Sequence, residues 1–185
     1  MKHLRTPLSP GTLRSLRAGE WVLFSGSVYT ARDQAHRLIA ADLAAGKALP
    51  VDLRAQAAYY CGPTRTPAGR VIGSCGPTTS SRMDPFTAPL LAAGVTLLIG
   101  KGGRSAEVYR LLKRHGAVYC VTIGGAGAYL AQTVCSCRVV AYAHLGPEAV
   151  YELVVRDFPL LVAGDARGRT IYPARVRTGK GTRYE

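Results

Sequence analysis

One pattern recurs along the chain and limits its possible folds: a short apolar run, a glycine-rich turn and the polar start of a helix. Apolar runs that alternate with helical segments predict a mixed α/β domain, in which helices flank a sheet. Ligands bind in such folds where the strands end, so we expect the turns to meet at one edge. The pattern occurs near residues 26–33, 76–82, 101–105 and 124–128.

Individual elements are predicted from the same pattern. Strands are expected at Trp21–Phe24, Ala57–Cys61, Val95–Ile99, Ala117–Ile123, Arg138–Tyr142, Tyr151–Val155 and Leu160–Val162, with a further extended piece at Leu49–Leu53. Helices are expected from a Thr30/Asp33 capping pair to Gly46, over Met83–Ala93 and Ser105–His115, and from Gly124 to about Val134. Residues 1–20 are expected to be a polar lead-in, and Asp165–Gly168 a hairpin turn.

Charge and hydropathy narrow the class of protein. No apolar run approaches the roughly 20 residues of a membrane span, and the Met1–Pro7 segment lacks a signal-peptide core, so we expect a cytoplasmic protein. The net charge is +13, from 24 Lys and Arg against 11 Asp and Glu. A basic module that binds nucleic acid or protein is therefore one alternative. However, the basic residues are spread along the chain. They are densest at residues 174–185, where aromatic residues are not interleaved with them, and we expect this segment to be a flexible tail.

The Gly73–Asp84 loop is the strongest candidate for a binding site. It combines turn-forming residues and consecutive hydroxyls with Arg82, just before a predicted helix. Free backbone N–H groups at a helix start, with a guanidinium beside them, form a pocket for an anion such as a carboxylate. The Ser25–Asp33 segment has similar composition and is expected to be a second loop of this kind. Two such loops predict an anion with two ends, such as a dicarboxylate.

The five cysteines do not define a metal site in this chain. They lie at 61, 75, 120, 135 and 137, an odd number that argues against a disulfide framework. Cys135 and Cys137 form a CxC motif without the second ligand pair that zinc requires, and we assign both a structural role. The other three are too scattered for an iron–sulfur ligand set.

Three ordered motifs resemble the class I fumarase and L(+)-tartrate dehydratase family, in the β subunit of its two-chain form. They are Gly26–His36, Gly73–Asp84 and Ile99–Gly103. The resemblance continues through Gly146–Val150 and Asp157–Pro159 to the Asp165–Gly168 turn, and so covers about residues 5–173. The β subunit is equivalent to the C-terminal domain of single-chain members.

The resemblance implies a fold, an activity and a partner. It implies a swivelling β/β/α domain, with a mixed sheet and flanking helices, over residues 1–173. It implies a hydro-lyase that interconverts fumarate and malate, with tartrate dehydration to oxaloacetate as the alternative. The [4Fe–4S] cluster would be bound by a partner α subunit, in an α2β2 assembly, and this chain would be inactive alone and would bind no metal itself.

The resemblance also assigns roles to four residues that match the family's motifs. Arg32 and Arg82 would bind the substrate's carboxylates, for which a planar guanidinium is well suited. Lys101 would add positive charge near the same groups. Thr78 would lie at the reacting carbon as proton acceptor, and because a threonine hydroxyl is a weak base, it would need a carboxylate from the α subunit.

Residues around these four have more than one interpretation. His36 lies one helical turn after Arg32, and either it supports Arg32 or Asp33 or it is a partly exposed helix histidine. Asp33 is interpreted as a helix cap, and Glu148 as structural. Ser80 and Ser81 are candidates to donate a hydrogen bond to the extra hydroxyl of tartrate. The Gly124–Gly127 turn could accept an oxyanion on its N–H groups.

Overall fold

The computed structural model describes residues 1–172, 176–178 and 181–183. In this part of the chain the strands are β1 (Lys2–Arg5), β2 (Trp21–Thr30), β3 (Ala57–Tyr59), β4 (Leu97–Gly100), β5 (Val118–Val121), β6 (Val134–Ala141), β7 (Val150–Gly164), β8 (Val176–Thr178) and β9 (Gly181–Arg183). The helices are α1 (Pro10–Ser15), α2 (Asp33–Ala44), α3 (Asp84–Ala92), α4 (Ala106–His115) and α5 (Gly127–Ala131). Short 3₁₀ helices cover Ser80–Met83 and Ala143–Glu148.

Seven strands form one mixed sheet, in the order β1-β2-β3-β4-β5-β7-β6. Strands β2, β3, β4 and β5 are parallel neighbours, whereas β7 is antiparallel to β5. A further antiparallel pairing joins β7 to β2, so β2, β3, β4, β5 and β7 close into a ring. Closure pairs the strand edges that an open sheet would leave exposed. The predicted mixed α/β architecture is confirmed.

Alternation along the strands separates the core into two clusters, because successive side chains point to opposite faces. One cluster gathers buried side chains from all five ring strands, among them Phe24, Tyr59, Ile99, Cys120 and Leu160. The other packs the opposite face against α2, α3 and α4, and contains Ile39, Leu90, Leu98, Leu112 and Tyr119. The predicted apolar face of α4 is confirmed, since Val108, Leu111 and Leu112 are all buried.

Strand β2 extends beyond its predicted end and replaces the predicted loop over Ser25–Thr30. Its second half pairs with β7 as far as Tyr29, and a register shift between Phe24 and Gly26 accommodates a bulge. Gly26 has φ of +111°, and a Cβ there would collide with the Thr6 side chain. The small polar residues for which the sequence predicts a loop therefore form a bulged strand.

Several other boundaries differ from the sequence-based predictions. The N-terminal lead-in contains β1 and α1, and Leu49–Leu53 forms no strand. The helix predicted after Gly124 is only Gly127–Ala131, because β6 already begins at Val134. The two strands predicted over 151–162 are one continuous strand, β7. The Asp165–Gly168 turn is confirmed, with the Gly168 N–H donating to Asp165 O at 2.9 Å.

None of the helices in the described part has both the length and the apolar composition of a transmembrane span. Half of the expected flexible tail, 174–185, lies outside the described residues. Within it the structure describes only β8 and β9, which pair antiparallel with each other.

Candidate functional site

The predicted turns meet at one end of the sheet, where the parallel strands β2 to β5 finish. Arg32 follows the end of β2, Lys101 follows β4 directly, and Gly124 lies three residues after β5. Since β2 to β5 are parallel, these turns lie at the same edge. The 76–82 loop is fastened there by two backbone hydrogen bonds, from Thr78 N–H to Tyr60 O at 2.7 Å and from Ser80 N–H to Lys101 O at 3.0 Å. The expected convergence is therefore confirmed.

Arg32 lies at the N-cap of α2 and its side chain is partly buried. Its Nη2 atom lies 3.7 Å from Oε1 of Glu148. Its Nε atom is buried and has no hydrogen-bond partner within the part of the chain that the structure describes. Gly62 makes room for this side chain, since a Cβ there would lie 2.8 Å from Arg32 Cδ. A buried guanidinium donor without an acceptor is costly, and an incoming anion would satisfy it.

The start of α2 is capped by Glu148 and not, as predicted, by Thr30. The Thr30 hydroxyl is buried and accepts a hydrogen bond from the Tyr151 N–H at 3.0 Å, which ties β2 to β7. Glu148 Oε2 instead accepts from the Gln34 N–H at 2.9 Å. A carboxylate at a helix N-terminus is favourable for the exposed N–H groups and for the helix dipole. The structural role assigned to Glu148 is confirmed, and the residue also contacts Arg32.

Arg82 is held by Asp33. Arg82 Nε donates to Asp33 Oδ1 at 3.0 Å, and Nη2 donates to Oδ2, so the pair is bidentate. The hydrogen bonds from Arg82 hold the pKa of the Asp33 carboxyl below its usual value. A guanidinium has five N–H donors, and this pairing leaves Nη1 and part of Nη2 for another acceptor. The prediction that Asp33 caps the helix is wrong, because its carboxylate accepts from Arg82 and orients that side chain, while Glu148 accepts from the first turn of α2.

Thr78 lies four residues before Arg82 in the same loop and is partly exposed. Its backbone is fixed by the hydrogen bond to Tyr60 O, so its position is set by the end of β3. The backbone is thus held in place, while the side chain belongs to a residue that is only partly buried.

Lys101 is attached to the same loop. Thr79 and Lys101 form an isolated parallel bridge, and the Lys101 N–H donates to Ser80 Oγ at 3.0 Å. Gly124 borders its side chain, since a Cβ there would lie 3.5 Å from Lys101 Cδ. Thr78, Arg82 and Lys101 thus belong to connected turns, and Arg32 is joined to them through the next residue, Asp33, which binds Arg82.

The two serines before Arg82 have different surroundings. Ser80 is fully buried, and its hydroxyl is engaged by the Lys101 N–H and by Tyr119. Ser81 is exposed. Ser80 is therefore excluded as a donor to a tartrate hydroxyl, and Ser81 remains the candidate.

His36 is fully buried, so its interpretation as a partly exposed helix residue is wrong. Its Nδ1 lies 2.8 Å from the Arg32 carbonyl oxygen, and its ring packs against Tyr60 and Phe86. Because that carbonyl can only accept, Nδ1 carries the proton. Burial lowers the pKa of His36 to about 4, so the ring is neutral near pH 7. His36 supports Arg32 through its backbone.

A buried arginine beside the site was not predicted from the sequence. Arg104 Nε donates to Asp84 Oδ1 at 2.6 Å, and its other nitrogens donate to Thr87 Oγ1 at 2.6 Å and Tyr60 Oη at 3.2 Å. Burial alone would lower the pKa of Arg104, but Tyr60 and Asp84 raise it. This network joins the first turn of α3 to the turn after β4. The Gly-Gly-Arg-Ser sequence resembles a solvated surface turn, and nothing in it signals a buried charge.

The Gly124–Gly127 turn and the five cysteines are the remaining candidates. A Cβ on Gly127 would lie 2.7 Å from Gly76 N, so this glycine permits close packing of two loops. Cys61, Cys75 and Cys120 are buried in the core, whereas Cys135 is exposed. Among the described residues, no three His, Cys, Asp or Glu side chains are arranged to hold a metal ion. The described part of the chain therefore does not fit the ligand set of an iron–sulfur cluster.

Comparison with known proteins finds matches over most of the chain. A family model described as "Fumarase C-terminus" matches residues 3–175. The chain is 37% identical over 150 residues to "Fumarate hydratase class I, aerobic" of Escherichia coli, which is 80% of this chain and 27% of that protein. It is 36% identical over 156 residues to "Fumarate hydratase 2" of Leishmania major, which is 83% of this chain and 28% of that protein.

A shorter relative matches over nearly its whole length. The chain is 36% identical over 178 residues to "Putative L(+)-tartrate dehydratase subunit beta" of Methanocaldococcus jannaschii, covering 93% of this chain and 91% of that protein. The chain therefore spans about a quarter of the length of the fumarate hydratases it matches and most of the length of this separate subunit.

Proposed function

Because the chain belongs to the Fumarase C-terminus family, we propose that it is the β subunit of a two-chain hydro-lyase that interconverts fumarate and malate. Its relatives are named as hydro-lyases. In this proposal the chain provides the carboxylate-binding half of the active site, and an α subunit provides the rest. The closed ring of strands supports a domain of the swivelling β/β/α type, which would close over the substrate.

The single observation that carries the proposal is the Nε of Arg32, which is buried and has no acceptor among the residues that the structure describes. Arg32 and Arg82 come from two different turns, and each is fixed by a carboxylate on one side only. Asp33 takes two donors of Arg82, and Glu148 lies at 3.7 Å from Arg32. Each guanidinium keeps donors for a substrate carboxylate, as a dianion with two ends requires.

Charge complementarity explains the choice of substrate class. A dicarboxylate carries two negative charges, and Arg32, Arg82 and Lys101 present three positive ones at the same edge of the sheet. Hydrogen bonds between charged partners contribute about 1.5–3 kcal/mol each, so two such clamps orient the substrate strongly. The ammonium of Lys101 adds a point charge without the planar geometry of a guanidinium.

Thr78 is the proposed proton-transfer residue of this chain. Its backbone is fixed at the end of β3, and its hydroxyl is partly exposed. An alcohol is a weak base, so the hydroxyl would transfer a proton only with a carboxylate next to it, which the α subunit would provide. The role of Thr78 is to position that proton at the reacting carbon while the arginines hold the carboxylates.

The [4Fe–4S] cluster of this family is proposed to be bound by the α subunit. The described residues of this chain contain no suitable ligand set, and we therefore assign them no step in the cluster chemistry. When bound, the cluster would supply an iron that polarises the substrate. We further propose that two copies of each subunit assemble, as α2β2.

L(+)-tartrate is the second candidate substrate, and one observation favours it. Ser81 is exposed directly before Arg82, so its hydroxyl could bind the additional hydroxyl of tartrate. The relative matched over most of its length carries a tartrate dehydratase name. Replacing Ser81 with Ala should lower turnover of tartrate more than turnover of malate if this hydroxyl is used.

The proposed function is tested by reconstitution. The chain is combined with its cognate α subunit, the cluster is restored anaerobically, and fumarate, malate and tartrate are assayed side by side. We expect hydration of fumarate by the complex and by neither chain alone. If the isolated chain bound iron stoichiometrically and hydrated fumarate, the proposed division between subunits would be wrong. If the complex turned over none of the three substrates, the substrate class would be wrong.

A further inference from the structure

Two buried hydroxyls, those of Ser80 and Tyr119, lie next to the Lys101 turn, and the proposed chemistry does not use them. Ser80 Oγ accepts a hydrogen bond from the Lys101 N–H at 3.0 Å. The Tyr119 hydroxyl lies 2.8 Å from Ser80 Oγ and 2.6 Å from Gly102 O. Both side chains are fully buried, so these contacts are shielded from water.

The direction of these hydrogen bonds follows from the number of protons. A phenol has one proton and a carbonyl oxygen can only accept, so Tyr119 donates to Gly102 O. The Ser80 hydroxyl therefore donates to the Tyr119 oxygen and accepts from Lys101 N–H. Burial raises the pKa of Tyr119, so the phenol stays protonated and this arrangement persists over the usual pH range.

These contacts hold the Lys101 peptide on both sides. Ser80 takes up both backbone polar groups of Lys101, because its own N–H donates to Lys101 O at 3.0 Å. Tyr119 holds the next residue, Gly102. Gly100, just before Lys101, has no space for a side chain, since a Cβ there would collide with Ser80 Oγ and lie 2.8 Å from Tyr60 Cδ2. The turn is therefore built around the Ser80 hydroxyl.

We propose that Ser80 and Tyr119 are positioning residues that fix the Lys101 ammonium relative to Thr78 and Arg82. The proposal rests on the proposed function of the site. Ser80 lies in the same short segment as Thr78 and Arg82, so one residue links the hydroxyl, the guanidinium and the ammonium. Removing either buried hydroxyl would let the Lys101 turn move while leaving Thr78 and Arg82 attached through their own contacts, to Tyr60 O and Asp33.

This proposal differs from a purely structural role in its dependence on Lys101. In the reconstituted complex, S80A and Y119F should each raise KM for malate about tenfold and lower kcat less than about threefold, since each removes a buried hydroxyl together with its two hydrogen bonds. In a K101A background neither substitution should raise KM further, because the positioned group is absent. A structural role would instead give the same additional effect in both backgrounds.

Matched controls separate positioning from loss of stability. Y142F removes a tyrosine hydroxyl that donates to Asp42 Oδ2 at 2.8 Å, and S9A removes a serine that caps α1. Both should leave KM unchanged even where they lower the melting temperature. If S80A and Y119F raised KM as much in the K101A background as in the wild type, or no more than Y142F does, the proposal would be overturned.

A second measurement does not depend on turnover. Lysines of the full chain are labelled by reductive ¹³C-methylation, and the Lys101 signal is assigned by its loss in K101R. We expect S80A and Y119F to shift or broaden this signal and Y142F to leave it unchanged. An unchanged Lys101 signal in both variants would contradict the proposal. If the wild-type complex proved inactive, the proposed function would fail, while this spectrum would still decide whether the two hydroxyls hold Lys101.

Discussion

Replacing Arg104 with Met should destabilise the protein far more than replacing an exposed arginine. The Arg104 side chain is fully buried and makes three side-chain hydrogen bonds, including the ion pair with Asp84. Removing one partner of a buried pair costs about 3–5 kcal/mol, because it leaves an uncompensated charge. Asp84 is 17% exposed and also accepts from the Ser105 N–H, so the lower end, about 3 kcal/mol, is expected.

Arg110 provides the matched control. It pairs with Glu107 on the surface of α4, and the two side chains are 71% and 58% exposed. Exposed pairs contribute about 0–1 kcal/mol, so R110M should have little effect on the free energy of unfolding. The two variants are compared by urea unfolding followed by circular dichroism, with unchanged slopes required for the comparison.

A double variant tests the reason for the loss. In R104M/D84N the asparagine carries no charge, so part of the stability lost in R104M should return. If R104M lies within about 1 kcal/mol of R110M, the Arg104 network does not hold α3 to the turn after β4 in the way argued above.

Two further predictions concern the surroundings of Arg32. Folding lowers the pKa of His36 from 6.5 to about 4. Between these two pH values the unfolded chain binds a proton at His36 that the folded chain does not bind. The free energy of unfolding should therefore fall as the pH drops from about 6.5 to 4, by up to about 3 kcal/mol from this residue. H36Q should reduce this pH dependence of the free energy of unfolding, measured by urea unfolding, whereas H115Q, at an exposed position, should not. The same pH dependence in the wild type and both variants would contradict this prediction. G62A places a Cβ 2.8 Å from both Arg32 Cδ and Pro147 O. In the reconstituted complex this variant should therefore raise KM for malate about tenfold. An unchanged KM would show that Arg32 does not bind the substrate from its position beside Gly62.

Much of the fold could be predicted from the sequence, because the spacing of apolar residues and the residue types found in turns are local properties. The apolar runs at β4 and β5 and the amphipathic pattern of α4 are local signals, and the structure confirms them. The length of β2 could not be predicted, because its second half, rich in Ser, Gly and Thr, is a strand through its pairing with β3 and with β7, which lies more than 120 residues later.

The same distinction applies to the site. Arg32, Thr78, Arg82 and Lys101 stand in recognisable motifs, and the convergence of their turns follows from parallel strands. Their partners are distant in the sequence: Glu148 caps α2, and Tyr119 binds Ser80. No local pattern pairs such residues, and the buried state of Ser80 and Arg104 depends on packing that only the folded chain has.

We propose that this chain binds the two carboxylates of the substrate through Arg32 and Arg82. The most direct measurement is kcat/KM for malate in the reconstituted complex with R32A, R82A and the control R37A, which lies exposed on α2. We expect R32A and R82A each to lower kcat/KM by about 10- to 150-fold, as the loss of a charged hydrogen bond predicts, and R37A to change it less than about threefold. Near-normal kcat/KM in R32A or R82A would contradict the claim.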